Sequence, residues 1–248
     1  MTNNQSKYYF ISDVHLGFYE RSIDKHQEEL LINSLDLISR DAKGIFLLGD
    51  IFDYWFEWRR VIPRHHYRTL SKLYDLKHSG IEISYLMGNH DFGHKDFFSQ
   101  ELGITVYPNE LVTELEGKKF FLHHGDGLAE GDSGYKILKK ITRNKCNQRL
   151  YTTLLHPNFA IKLASTSSSK SRKYTDKKDY GKTDGMAEYA KNKIDEGFDF
   201  VVMGHRHKRE ILPHNKGIYV NLGAWFDLPE IGVFDGNEFS FIDVKNSD

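Results

Sequence analysis

Aspartate, asparagine and histidine recur at the ends of apolar runs along this sequence of 248 residues. KYYFI leads into SDVH, with Asp13 and His15, and GIFLLGD ends at Asp50. IEISYLMGNHD carries Asn89, His90 and Asp91, FFLHHGD carries His124, and FDFVVMGHRH closes on His205 and His207. Aromatic and β-branched runs of this kind read as strands. Side chains two apart on an extended segment point the same way, so D-x-H and H-x-H each offer two ligands to one site. Strand ends gather along one sheet edge, where loops supply polar groups. One such ending is an ordinary solvated residue. Five, all with oxygen or imidazole donors and none with a thiol, describe a metal site suited to Mn²⁺, Fe or Zn²⁺.

The elements that must position these groups are legible in outline. Strands are expected at 7–11, 44–50 and 81–91, with short β-like runs at 104–106, 110–116 and 119–123. Further strands fall at 198–207, 209–213, 217–222 and 229–243, the last as a hairpin around Asp235-Gly236. Leu30, Leu31, Leu35 and Ile38 space an amphipathic helix over 24–40. A second helix is expected from Pro63 to Ser79, with Pro63 in its first turn and Gly80 at its end. A third covers about 184–196. Between them YKILKKITRNKCNQRLYTTLL and PNFAIKLAS read as two helical pieces, and 167–182 as a polar loop.

Composition narrows the class. Hydrophobic residues at 39% suffice for a real core, and the length suits one α/β domain over 1–248. The polar start, MTNNQSK, has no signal-peptide character. No run approaches the ~18 apolar residues of a membrane span. The single cysteine, Cys146, has no intrachain partner, so a reducing, cytoplasmic setting is expected. The net charge of −1 conceals an asymmetry. Between Lys136 and Lys182 thirteen Lys and Arg face only Asp176 and Asp179, a surplus of eleven positive charges, which leaves the remainder at −12. Such a segment favours an anionic partner, or is a solvated basic helical face.

Taken in order, SDVHLG, LLGDIFD, GNHDF, HHGDG and GHRH resemble the motif set of the calcineurin-like metallophosphoesterases. The resemblance implies an α/β fold of two face-to-face β-sheets flanked by helices, with a helical cap inserted at about 133–182. It implies two divalent ions, Mn²⁺ before Fe or Zn²⁺. Asp13, His15, Asp50 and His207 would hold one, and Asp50 would bridge to a second completed by Asn89, His124 and His205. Asp13 and Asp50 offset only half the charge of two such ions, so the site stays attractive to phosphate. Ions roughly 3.5–4 Å apart can share a hydroxide and aim it at phosphorus. His90 is the expected non-ligand participant, giving a proton or hydrogen bond to the departing oxygen, with Asp91 to orient it. His123, beside the motif position taken by His124, is expected to be structural.

HGDGLAEGDSGY, the basic segment and NLGAW at 221–225 are similar to the UDP-2,3-diacylglucosamine pyrophosphohydrolases of lipid A synthesis. That likeness implies water attack on the α-phosphorus, releasing UMP and 2,3-diacylglucosamine 1-phosphate. Asn89, His90, Asp132, Arg172 and His205 become the expected substrate contacts. Leu154, Leu155, Phe159, Ile161, Leu163 and Ala164 are candidates for an acyl slot, with helix-on-core packing as the plainer reading. Basic residues beside an anionic bilayer contribute about 1 kcal/mol each. Peripheral attachment to the cytoplasmic face of the inner membrane is therefore expected, with no nucleic acid and no obligate protein partner. The chain departs from the lipid enzymes at GNHDF, where they carry Arg in place of His90. Two alternatives remain: a metallophosphoesterase for another phosphodiester or nucleotide, and a non-catalytic scaffold of the same fold.

Overall fold

The computed structural model describes residues 6–18, 20–128, 133–163, 185–226 and 228–244. The first half alternates strands with helices: β1 (Lys7–Ile11), α1 (Arg21–Ile38), β2 (Ala42–Leu47), α2 (Tyr67–His78), β3 (Glu82–Leu86), α3 (Phe97–Gln100) and β4 (Thr105–Tyr107). Strands joined through helical crossovers pair in parallel, and β1, β2, β3 and β4 do so. The closing hairpin, β10 (Glu230–Phe234) and β11 (Phe239–Asp243), adds antiparallel to β1 and completes a six-stranded sheet of order β11-β10-β1-β2-β3-β4. A five-stranded sheet is built from β5 (Leu111–Leu115), β6 (Lys118–His123), β7 (Phe200–Met203), β8 (Glu210–His214) and β9 (Gly217–Asn221), in the order β5-β6-β7-β9-β8.

Period-two alternation sorts the side chains into layers. Tyr8, Phe10, Phe46 and Leu48 face the other sheet and meet Phe120, Leu122, Phe200, Val202 and Val220. The Phe10 ring stacks on Phe46 at 5.1 Å and on Phe120 at 5.9 Å. Their neighbours Tyr9, Ile11, Ile45 and Leu47 point outward onto Leu31, Leu35 and Ile38 of α1 and Leu70 and Leu73 of α2. Behind the second sheet, Phe121, Val201 and Met203 pack on Met186, Ala187, Ala190 and Ile194 of α7 (Gly185–Asp195). Each fully buried side chain of this size contributes about 1.5–3 kcal/mol. The order is helix, sheet, sheet, helix, as the motif resemblance implied.

Three local differences have physical causes. The run from Tyr135 to Leu155 is two helices, α4 (Ser133–Thr142) and α5 (Lys145–Leu154), followed by α6 at 157–163. Asn144 makes the break: its backbone is extended and its side chain accepts from Cys146 N and Asn147 N, an N-cap inside an otherwise helical pattern. The short α3 starts where Glu57 Oε2, forty residues away, accepts the backbone N–H groups of Lys95, Asp96 and Phe97. No local pattern announces a cap supplied from so far. The strand expected over 81–91 stops at Leu86, and the following residues turn. The predicted polar loop at 167–182 lies outside the described residues, as do Asp132 and Arg172.

Candidate active site

The expected residues sit just beyond the strand ends, on loops stitched together by backbone hydrogen bonds. Asp13 N donates to Gly49 O at 3.2 Å, His15 N to Asp50 O at 2.9 Å, and Gly204 N to His124 O at 2.9 Å. Asp13, His15, Asp50, His205 and His207 all have left-handed backbones, with φ between +53° and +69°. Their shared direction therefore arises from turns, and the extended i, i+2 argument gives the right pairing for the wrong backbone. Asp and His tolerate this region better than most residues, and such outliers gather at functional sites.

All seven expected ligands come together. Asp13 Oδ1 stands 3.2 Å from His207 Nε2 and 3.7 Å from His15 Nε2. Asp50 Oδ2 lies between two imidazoles, 3.7 Å from His15 Nε2 and 3.4 Å from His124 Nε2. Asn89 Oδ1 is 2.9 Å from His124 Nε2, and the His205 ring centre is 5.2 Å from that of His124. Among the described residues three groups have donor atoms within 4.8 Å of one another: Asp13, His15, His207; Asp13, Asp50, His124; and His15, Asp53, His90.

The donors fit divalent cations. Asp13 Oδ1 is buried with no hydrogen bond of good geometry, an acceptor kept dry and left for a cation. His124 Nδ1 is fixed by Leu48 O at 2.8 Å, which turns Nε2 toward Asp50 and Asn89. Burial alone would lower His15 and His124. Asp13, Asp53 and Asp50 outweigh it, raising His15 to about 9, while Asp50 and Asp13 raise His124 to about 10. Burial likewise opposes ionisation of Asp13 and Asp50, yet the surrounding imidazoles hold both below the usual carboxylate range. The cluster concentrates negative potential where positive charge is to bind.

Around this cluster two roles differ from expectation. Asp91 is fully buried and turned away from the His90 ring: its oxygens accept from Gly88 N at 2.8 Å, Ile51 N at 2.9 Å and the Tyr85 hydroxyl. It ties the Asp50 and Asn89 loops together. The carboxylate beside His90 is Asp53, with Oδ1 at 3.3 Å from His90 Nδ1 and 3.4 Å from His15 Nδ1. Sequence reasoning missed Asp53; its only signal is an acid three residues after Asp50 in LLGDIFD. His123 is buried, and its Nδ1 accepts from Gly125 N at 2.7 Å as a neutral ring, pushed down to about 3 by burial.

A cavity of about 840 Å³ opens beside the cluster. Asp53, Asn89 and His90 stand at its polar end, and Tyr54, Phe56, Phe92, Leu138, Leu150 and Leu154 line its apolar part. Leu155 joins them, whereas Phe159 and Leu163 of α6 point to solvent, 58% and 51% exposed. Ile161 lines a separate, smaller hollow, and Ala164 lies outside the described residues.

The family model described as calcineurin-like phosphoesterase matches residues 6–209. A protein of Porphyromonas gingivalis named UDP-2,3-diacylglucosamine hydrolase is 34% identical, over 94% of this chain and 95% of its own. One of the same name from Photorhabdus laumondii is 30% identical, over 87% and 90%. A solved archaeal phosphodiesterase overlays 96% of this chain and 99% of its own with a TM-score of 0.49 at 14% identity.

Proposed function

This chain belongs to the calcineurin-like phosphoesterase family, and from that premise we propose that it hydrolyses UDP-2,3-diacylglucosamine to UMP and 2,3-diacylglucosamine 1-phosphate. The observation that carries the reading is the apolar cavity opening directly beside Asn89 and His90. A substrate with a diphosphate at one end and acyl chains at the other needs that juxtaposition.

The cations would be held by Asp13, His15, Asp50 and His207 on one side and by Asp50, Asn89, His124 and His205 on the other. When bound, two divalent ions, Mn²⁺ before Fe or Zn²⁺, would supply an acidified water and neutralise charge at phosphorus. Asp50 would serve both ions, because its Oδ2 faces an imidazole of each group. Water oxygen bonds to the α-phosphorus, the bond from that phosphorus to the anhydride oxygen breaks, and the oxygen leaves with the sugar phosphate. His90, oriented by Asp53, donates a hydrogen bond to that departing oxygen. Tyr54, Phe56, Phe92 and Leu138 exclude water from the acyl part. Helices α4 to α6 act as the cap of a single domain; the rest of the expected cap, to about 182, lies outside the described residues.

No described helix is long and apolar enough to cross a membrane. The exposed Ile137, Phe159 and Leu163, together with the basic surplus of this segment, support peripheral attachment to an anionic inner-membrane surface on the cytoplasmic side. His90 in place of Arg favours a second reading, a phosphodiesterase of other substrate. Turnover of UDP-2,3-diacylglucosamine with Mn²⁺ in ¹⁸O-water separates the two. The expected result is label in UMP; label in the sugar phosphate, or cleavage of a simple aryl diester alone, contradicts the proposal.

A further inference from the structure

Tyr135, Lys139 and Arg143 stand four residues apart, along one face of α4 and the residue just past its end. All three reach a single atom, Asp126 Oδ2: the Tyr135 hydroxyl at 2.8 Å, Lys139 Nζ at 2.9 Å and Arg143 Nη2 at 3.1 Å. Asp126 is buried and follows His124 by two residues, on the turn made by Gly125 at φ +120°.

Arg143 makes two more bonds. Its Nη2 donates to Gly88 O at 2.8 Å and its Nη1 to Pro108 O at 2.5 Å. Gly88 immediately precedes Asn89 and His90. One guanidinium therefore joins α4 to the turn that carries His124 and to the loop that carries Asn89 and His90. The same helix supplies Leu138 and Ile141 to the apolar cavity. Arg143 and Lys139 are largely shielded from water, so this pairing is held in a low-dielectric setting. The planar fork fixes direction as well as distance.

We propose that Asp126 and Arg143 are positioning residues that hold the apolar cavity in register with the phosphoryl site, and so set selectivity for substrates long enough to occupy both. The selectivity part rests on the lipid substrate of the preceding reading; the bracket itself does not.

The test compares Asp126→Asn, Arg143→Gln and Arg143→Lys in the Mn²⁺-loaded full chain. Breaking a buried pair leaves its partner uncompensated, so kcat/KM for UDP-2,3-diacylglucosamine should fall about tenfold or more, chiefly through KM. Bis(4-nitrophenyl) phosphate, too short to use the cavity, should change by less than about threefold, a shift of well under 1.4 kcal/mol. Manganese content should be unchanged, and Arg143→Lys should recover part of the loss because it keeps the charge and loses the fork. Equal losses on both substrates, or none on either, overturn the proposal. Hydrogen exchange reads the bracket without substrate: Arg143→Gln should speed exchange in both 133–142 and 87–91, and unchanged exchange in either segment counts against it. Failure of the unaltered enzyme to cleave the lipid nucleotide removes the substrate reading, while exchange still decides the bracket.

Discussion

Asp53 illustrates how one side chain acquires a role from its neighbours. Its Oδ1 lies within 3.4 Å of both His15 and His90, so one carboxylate is placed to orient the proposed metal ligand and the proposed leaving-group donor together. Asp53→Asn should lower kcat about 10–100-fold, the scale on which outer-shell partners of ligands act, with little loss of bound metal. Turnover alongside elemental analysis checks this, and complete loss of metal would make Asp53 a ligand instead. His15 and His124 carry a second prediction. Their raised values, about 9 and about 10, mean both bind protons at neutral pH in the metal-free protein. That contribution to stability is complete below the ordinary value of about 6.5 and is lost as pH rises through about 9 to 10. The melting temperature of metal-free protein should therefore drop across that upper window. Mn²⁺ uptake near pH 7 should release about two protons per chain, readable with an indicator dye in weak buffer. At this scale the residues that cluster were legible, because donor type and order survive in the sequence. Asp53 and Asp91 were not, because only the folded loops decide which acid meets His90.

At the scale of elements, the site depends on two strand-end loops approaching without side chains between them. Gly49, at φ +83°, lies so close to the neighbouring loop that an added Cβ would meet Gly88 N at 2.5 Å. A methyl on Gly88 would overlap Asp50 Oδ1 and Asp50 N. Gly88→Ala should therefore displace Asp50 and cost about a hundredfold in kcat/KM, the scale of a misplacement near 1 Å. Steady-state kinetics on the purified variant measures it, and unimpaired turnover would mean the loops have slack. Elements with local signals were readable: α1 from its apolar spacing, and the β10–β11 turn, where Asp235 Oδ1 accepts from Asn237 N and Glu238 N. Those with distant signals were not. Asn144 splits a helical pattern by capping, and Glu57 starts α3 from the far side of the loop.

For the molecule as a whole, the two sheets bring the carboxyl ends of β1, β2, β3, β6 and β7 to one region, so five distant segments share one site. Periodicity alone fixes which faces are apolar, and the ordered motifs supplied the face-to-face arrangement. Helices α4 and α5, part of the basic segment, line the cavity, and binding to vesicles should follow from the segment's charge. Cosedimentation with anionic vesicles should weaken as salt rises and vanish with neutral lipid, since each Lys or Arg near the surface is worth about 1 kcal/mol. Salt-independent binding would point to apolar insertion instead. The proposed chemistry requires a pair of cations sharing Asp50. Anomalous diffraction at the manganese edge from crystals grown with Mn²⁺ tests it most directly. Two peaks about 3.5–4 Å apart are expected, one on each side of the Asp50 carboxylate. A single peak, or two that do not share Asp50, would contradict it.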